Sequence, residues 1–201
     1  MGATTLSFES LRGAGLGAFF RPSQLADAGI GYDRLRSLVA SGAVERVARG
    51  LYRLAAAEPT EVYDLAAACA KVPRSVVCLL SALQVHGIGT QLPRQVWLAI
   101  PHKARAPRVS GMKVRLVRFS RASWTYGVVE TEFEGVKARI TNPVRTVLDC
   151  FRFERLVGRE AAMEALREAL RAKLVTADGL FRAMEVLPST RLRRVLEAML
   201  P

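Results

Sequence analysis

The chain has 201 residues, half of them apolar, and a net charge of +12, which suits one domain of ordinary size or two small ones around a buried core. No stretch approaches the roughly 20 apolar residues of a membrane helix, and the first residues, MGATTLSFESL, lack the basic start and apolar run of a secretory signal. A cytoplasmic protein with no membrane partner is expected. Cys69, Cys78 and Cys150 each stand among apolar neighbours and read as reduced core residues. His86 and His102 share no ligand spacing with them, so neither a disulfide framework nor a metal or other cofactor is expected; His86, at the end of an apolar helix, reads as a helix-terminal core residue.

In chain order, SFESLRGAG reads as a first helix. Pro22 starts a short second one, PSQLADAG, which Gly29 can end in the left-handed conformation. After the tight Gly29-Ile30-Gly31 connection, Tyr32 to Ser41 has Leu35, Leu38 and Val39 on one side at helical spacing, with Gly42 as the stop. The period then changes: Val44 to Val47 and Leu51 to Leu54 read as a hairpin with Gly50 at its turn. A hairpin directly after a helix-turn-helix is the wing of a winged helix. On its second helix, Asp33, Arg36 and Ser37 point away from the apolar stripe, flanked by Tyr32 and Arg34, which is how a recognition helix meets the major groove. Arg46, Arg49 and Arg53 on the hairpin are placed to meet backbone or minor groove.

Beyond residue 58, Thr60 to Ala70 and Val76 to His86 read as helices separated by Pro73. Strands are expected at Val96 to Ile100, Val114 to Phe119, Gly127 to Glu132 and Val136 to Ile140, with Gly111 and Gly135 at turns. Asn142-Pro143 starts a helix in which Arg145 and Asp149 are spaced for a helix-surface ion pair of structural rather than functional role. Three more helical segments follow, with Leu166, Leu170, Leu180, Met184, Leu187, Leu192, Leu196 and Met199 at core spacing and Arg193 and Arg194 outward.

Between Leu65 and Val129 there is no acid, while the window holds ten basic residues, among them Lys103, Arg105, Arg108, Lys113, Arg115 and Arg118. A surface needs charge but not charge of one sign, and the self-repulsion points to a polyanionic partner. In Val114 to Phe119, basic residues interleave with Leu116, Val117 and Phe119, as when one sheet face is buried and the other meets phosphates.

The run GIGYDRLRSLVASGAVERVARGLYRL resembles the N-terminal domain of the AbiEi family of antitoxins from type IV toxin-antitoxin systems, and SALQVHGIGTQLP, QVWLAIP and ITNPVRTVLDC resemble that family's second domain in the same order. The resemblance runs from about Phe20 to Phe151. It implies a bacterial transcriptional autorepressor that binds inverted repeats of double-stranded DNA in its own promoter. It further implies neutralisation of a nucleotidyltransferase-like toxin without need of a tight complex, and positive surface on both domains.

The expected architecture is α+β: a winged helix-turn-helix over residues 1–58, then over residues 59–201 a mixed α/β domain with a small sheet and C-terminal helices. Three other readings compete, a stand-alone winged-helix regulator, a basic protein-binding module, and a nuclease-like domain fused to a winged helix. A nuclease needs an upstream acid plus an acid and a lysine two residues apart on a strand. Glu132 and Glu134 precede Lys137, but position 135 is Gly and no carboxylate lies upstream until Asp64 once the basic window begins. A two-residue hairpin at Glu134-Gly135 accounts for those acids. Without a phosphate-binding loop, nucleophile elbow or zinc-hydrolase helix, no catalysis is expected.

Overall fold

The computed structural model describes residues 18–58 and 60–199. Contacts divide the chain into two compact units, residues 1–73 with 132–137, and residues 74–131 with 138–201. The helix expected in SFESLRGAG lies outside the described residues.

The first unit is a three-stranded sheet with helices. Strand β1 (Phe19–Phe20) is followed by α1 (Pro22–Asp27), α2 (Tyr32–Ala40), the hairpin β2 (Val44–Ala48) and β3 (Leu51–Leu54), and α3 (Tyr63–Lys71). The sheet order is β1-β3-β2, all antiparallel, with a bulge in β2 between Arg46 and Ala48. Pro22 occupies the first turn of α1, where its missing N–H costs nothing, and Gly29 follows with φ +76°. One face of the sheet and the inner sides of the helices share a core of Phe20, Leu25, Leu35, Leu38, Val44, Tyr52, Leu54 and Ala57. Each fully buried Leu or Phe contributes about 1.5–3 kcal/mol. Val39, expected in that stripe, is exposed, because Leu35 and Leu38 alone fill the width that α2 turns inward.

β3 is buried along its whole length. Its second face carries Arg53, opposite Phe19 in register, and α3 covers it: the rings of Phe19 and Tyr63 lie 5.5 Å apart. That contact is why the first unit runs on to Pro73 and takes in a helix beyond residue 58. The tip of a later hairpin also belongs here. Its turn residues Glu134 and Gly135 have φ +50° and +85°, the mirror-image turn that matches strand twist, and the Thr60 hydroxyl donates to the Glu134 carboxylate.

The second unit contains a mixed five-stranded sheet, order β6-β5-β4-β8-β7, of β4 (Val76–Val77), β5 (Val96–Pro101), β6 (Val114–Phe119), β7 (Val128–Phe133) and β8 (Val136–Thr141). β5 and β6 pair in parallel from Val96 with Val114 to Pro101 with Phe119. The helices are α4 (Leu79–Val85), α5 (Arg121–Thr125), α6 (Pro143–Arg152), the single turn α7 (Glu154–Val157), α8 (Arg159–Arg171), α9 (Ala177–Val186) and α10 (Thr190–Met199). Val76–Val77, expected to open a helix, forms a short strand between β5 and β8, and the helix begins only at Leu79. α7 is one helical turn more than the three segments expected after α6. Asn142 caps α6 by accepting from the Arg145 amide at 2.9 Å, and α6 packs against α4, α8, α9 and α10. The core runs through Leu148, Leu166, Leu180, Met184, Leu187, Leu192 and Leu196, with Leu170 partly buried at its edge, whereas Met199 is exposed on the last turn.

Candidate nucleic-acid interface

In the first unit, α2 leaves Tyr32, Asp33, Arg36 and Ser37 exposed while Leu35 and Leu38 hold it to the sheet; Arg34 is half-buried. The helical repeat fixes this division, since residues four apart share a face and Arg36 with Ser37 falls between the two inward leucines. Tyr32, 65% exposed, stands at the first turn beside Asp33. At the hairpin, Arg46 is exposed within β2 and Arg49 is exposed at the turn, where Gly50 takes φ +69°. Two exposed guanidinium groups therefore edge the hairpin, and one exposed guanidinium lies on α2.

Arg53 departs from the expectation of a DNA-contacting wing residue. It is buried to 6% exposure, its guanidinium donates to the Ala57 carbonyl, and it lies 4.8 Å from the centre of the Tyr63 ring. The alternation that made it look outward fails because both faces of β3 are covered.

The second-unit candidates also divide. Lys103, Arg105, Arg108 and Lys113 are exposed on the segment from β5 to β6. Arg115 shares a strand face with buried Val117 and Phe119, and its guanidinium lies 4.8 Å over the ring of Trp97, its register partner. It is half-buried packing more than phosphate-facing surface. Arg118, on the opposite strand face, donates to the carbonyls of His102 at 2.6 Å and Ala104 at 2.8 Å, so it braces the turn after β5. The single basic face imagined for β6 is thus two different uses of arginine.

The ion pair of α6 is a second correction. Arg145 and Asp149 are fully buried, not on the helix surface, with Nε to Oδ2 at 2.8 Å, and Arg152 reaches the other carboxylate oxygen at 2.8 Å. The Arg145 guanidinium also donates to the carbonyls of Tyr126 and, at 3.0 Å, Ser123, and lies 4.7 Å over the Phe119 ring. Burial pushes the Asp149 carboxyl up and the Arg145 guanidinium down, each against the pull of the other's charge. The i,i+4 spacing was legible, but nothing in spacing says whether that side is wet. Burial likewise raises the three thiols, Cys69 to about 12. His86 is half-buried at the end of α4, its Nε2 2.7 Å from the Thr141 carbonyl oxygen.

Among the described residues no three His, Cys, Asp or Glu side chains gather as a metal site, and no helix is long and apolar enough to cross a membrane. No curated protein matches the chain. Residues 14–55, the segment that carries the exposed face of α2 and the arginine-edged hairpin, match the model of a family described as a transcriptional regulator, the AbiEi antitoxin.

Proposed function

We propose that the first unit is a winged helix that binds double-stranded DNA, and that the chain is the autorepressor and antitoxin of a type IV toxin-antitoxin system. The observation that carries this reading is the exposed face of α2, with Arg36 and Ser37 outward beside the Arg46 and Arg49 hairpin, inside the segment similar to antitoxin regulators. In this reading α2 lies in the major groove, Arg36 and Ser37 read base edges, Tyr32 and Arg34 flank them, and Arg46 and Arg49 hold the backbone. Inverted repeats in the chain's own promoter are the target. Lys103, Arg105, Arg108 and Lys113 supply a second, sequence-independent grip, since first-unit residues 1–55 hold seven arginines against four acids, modest for a module that must hold DNA at physiological salt. The second unit counters a nucleotidyltransferase-like toxin in the cytoplasm, where buried thiols stay reduced.

Gel shifts on the promoter test the division of labour. Arg36→Ala and Ser37→Ala reduce discrimination between operator and random DNA by about 1–3 kcal/mol per lost base contact. Arg49→Ala weakens both equally, and affinity falls steeply with salt as condensed counterions are released. Salt-independent binding, or a selective operator loss in Arg49→Ala, would contradict the assignment. Rescue of cells expressing the neighbouring toxin gene tests the antitoxin role.

A further inference from the structure

The second unit contains an open cleft at the ends of β5 and β6. It lies between the turn after β5 and the segment from the end of β6 through α5, and has a volume of about 890 Å³, within the range of small-molecule sites. Trp124 and Pro101 form its apolar lining with the buried Phe119 behind them; His102, Lys103, Ser120 and Arg121 bring polar groups to it. Lys103 and Arg121 are exposed, and no carboxylate occurs from Leu65 to Val129, the stretch that supplies every lining residue.

The walls are fixed from behind. The His102 amide donates to the Phe119 carbonyl at 2.9 Å, so the two sides of the cleft are tied together. Arg118 holds the carbonyls of His102 and Ala104, and Arg145 holds that of Ser123, one residue before Trp124. The guanidinium of Arg139 lies 4.5 Å from the Trp124 ring centre and supports it. Walls already placed lose little entropy when a ligand enters, and the exposed Lys103 and Arg121 side chains order on it.

An aromatic wall suits a flat apolar body, and two cations with a hydroxyl and an imidazole suit several anionic oxygens. One class of ligand has both ends. We propose that this cleft binds a nucleoside phosphate, with the base packed against Trp124 and the phosphate on Lys103 and Arg121. The base and phosphate could be delivered as a free nucleotide or as the 5′-phosphorylated end of a single strand, which share this chemistry. The inference stands apart from duplex binding by α2 and the hairpin, and shares only Lys103 with the second grip proposed above.

Calorimetry on the full-length protein tests it with ATP, GTP, inorganic triphosphate and a 5′-phosphorylated single-stranded oligonucleotide. The expected result is saturable binding of a nucleotide, of the oligonucleotide, or of both, with inorganic triphosphate at least about tenfold weaker because it lacks the base. Mononucleotide binding identifies the free ligand; oligonucleotide binding without it identifies the strand end where the same oligonucleotide with a 5′-hydroxyl binds at least about tenfold more weakly, and equal binding of the two oligonucleotides counts against the cleft, because the Lys103 to Lys113 segment holds backbone whatever its end. Arg121→Ala and Lys103→Ala each weaken the bound form by about tenfold. Trp124→Leu weakens it further and Trp124→Phe restores most of it, while Arg182→Ala, exposed on α9, leaves it unchanged. Circular dichroism checks folding, and the exposed Arg121 variant decides the matter should Trp124→Leu unfold. Equal affinity for inorganic triphosphate and nucleotide, indifference to Arg121→Ala, or no binding of any nucleotide or oligonucleotide at about 1 mM overturns the proposal.

Discussion

Arg145 heads the fully buried side chains by size, and a guanidinium so placed is tolerated only because each side of it has a partner. Removing it leaves the buried Asp149 carboxylate with Arg152 alone, which is itself partly exposed. Arg145→Met is therefore expected to destabilise by about 3–5 kcal/mol, whereas Arg145→Met combined with Asp149→Leu recovers much of the loss, since no unpaired charge remains buried. Urea denaturation of both variants measures the difference. Gly127 belongs to the same arrangement: it has φ +63°, and an added Cβ would stand 2.7 Å from the Arg145 Cβ. Gly127→Ala should cost more than about 1 kcal/mol from conformation alone, with the clash in addition. The thiols give a check of another kind. With Cys69, Cys78 and Cys150 all buried and raised, none should react with a disulfide reagent at pH 8 until denaturant is added, when three react.

At the scale of elements, the connection after α4 is held by α8. Glu168 accepts from the Gly89 amide at 2.7 Å, and Glu164 accepts from the Thr90 amide, the Thr90 hydroxyl and the Gln91 side chain. Those bonds hold the Glu164 carboxyl below its usual range. A carboxyl lowered on folding contributes stability above its unfolded value, near 4.5, and loses it as pH falls through the folded one. The protection of the Thr90 amide, its exchange relative to a free amide at the same pH, should therefore fall on acidification below about pH 4.5, and Glu164→Gln should remove that acid dependence. The same scale shows what the sequence discloses. α1, α2 and the hairpin are legible because period 3.6 changes to period 2 across Gly42, and the outward set Arg36, Ser37, Arg46 and Arg49 follows from that phase. Val76–Val77 is not, because a continuous apolar run reads equally as helix or strand. Arg53 is not, because alternation marks an outward face only where one face meets water, and here Tyr63 covers it. The cleft beside Trp124 is built by parallel pairing of β5 and β6, which brings His102 next to Phe119 across 16 intervening residues that no local pattern links.

For the whole molecule, the division after Pro73 sets which pieces keep their structure. A fragment ending near Glu58 loses Tyr63 and exposes Phe19 and Arg53, whereas one ending at Pro73 retains α3. The longer fragment should melt at the higher temperature. Under the two-grip reading, each prefers operator to random DNA but binds more weakly than the full chain, because Lys103, Arg105, Arg108 and Lys113 are gone. Residues from Thr60 onward should bind DNA weakly, without preference, and still rescue cells from the toxin. Full operator affinity in the 73-residue fragment would remove the second grip.

The buried charges of α6 also carry a kinetic meaning. The carbonyls that receive Arg145 belong to Ser123 and Tyr126, about 20 residues upstream, so the helix at the centre of the second unit cannot dehydrate its ions until that segment has docked. Ordering those partners is a step on the way to the native state, and the rate should feel it. Replacing the pair with apolar side chains frees collapse from that sequence of events, and in stopped-flow refolding Arg145→Met with Asp149→Leu should reach its folded state faster than the parent chain.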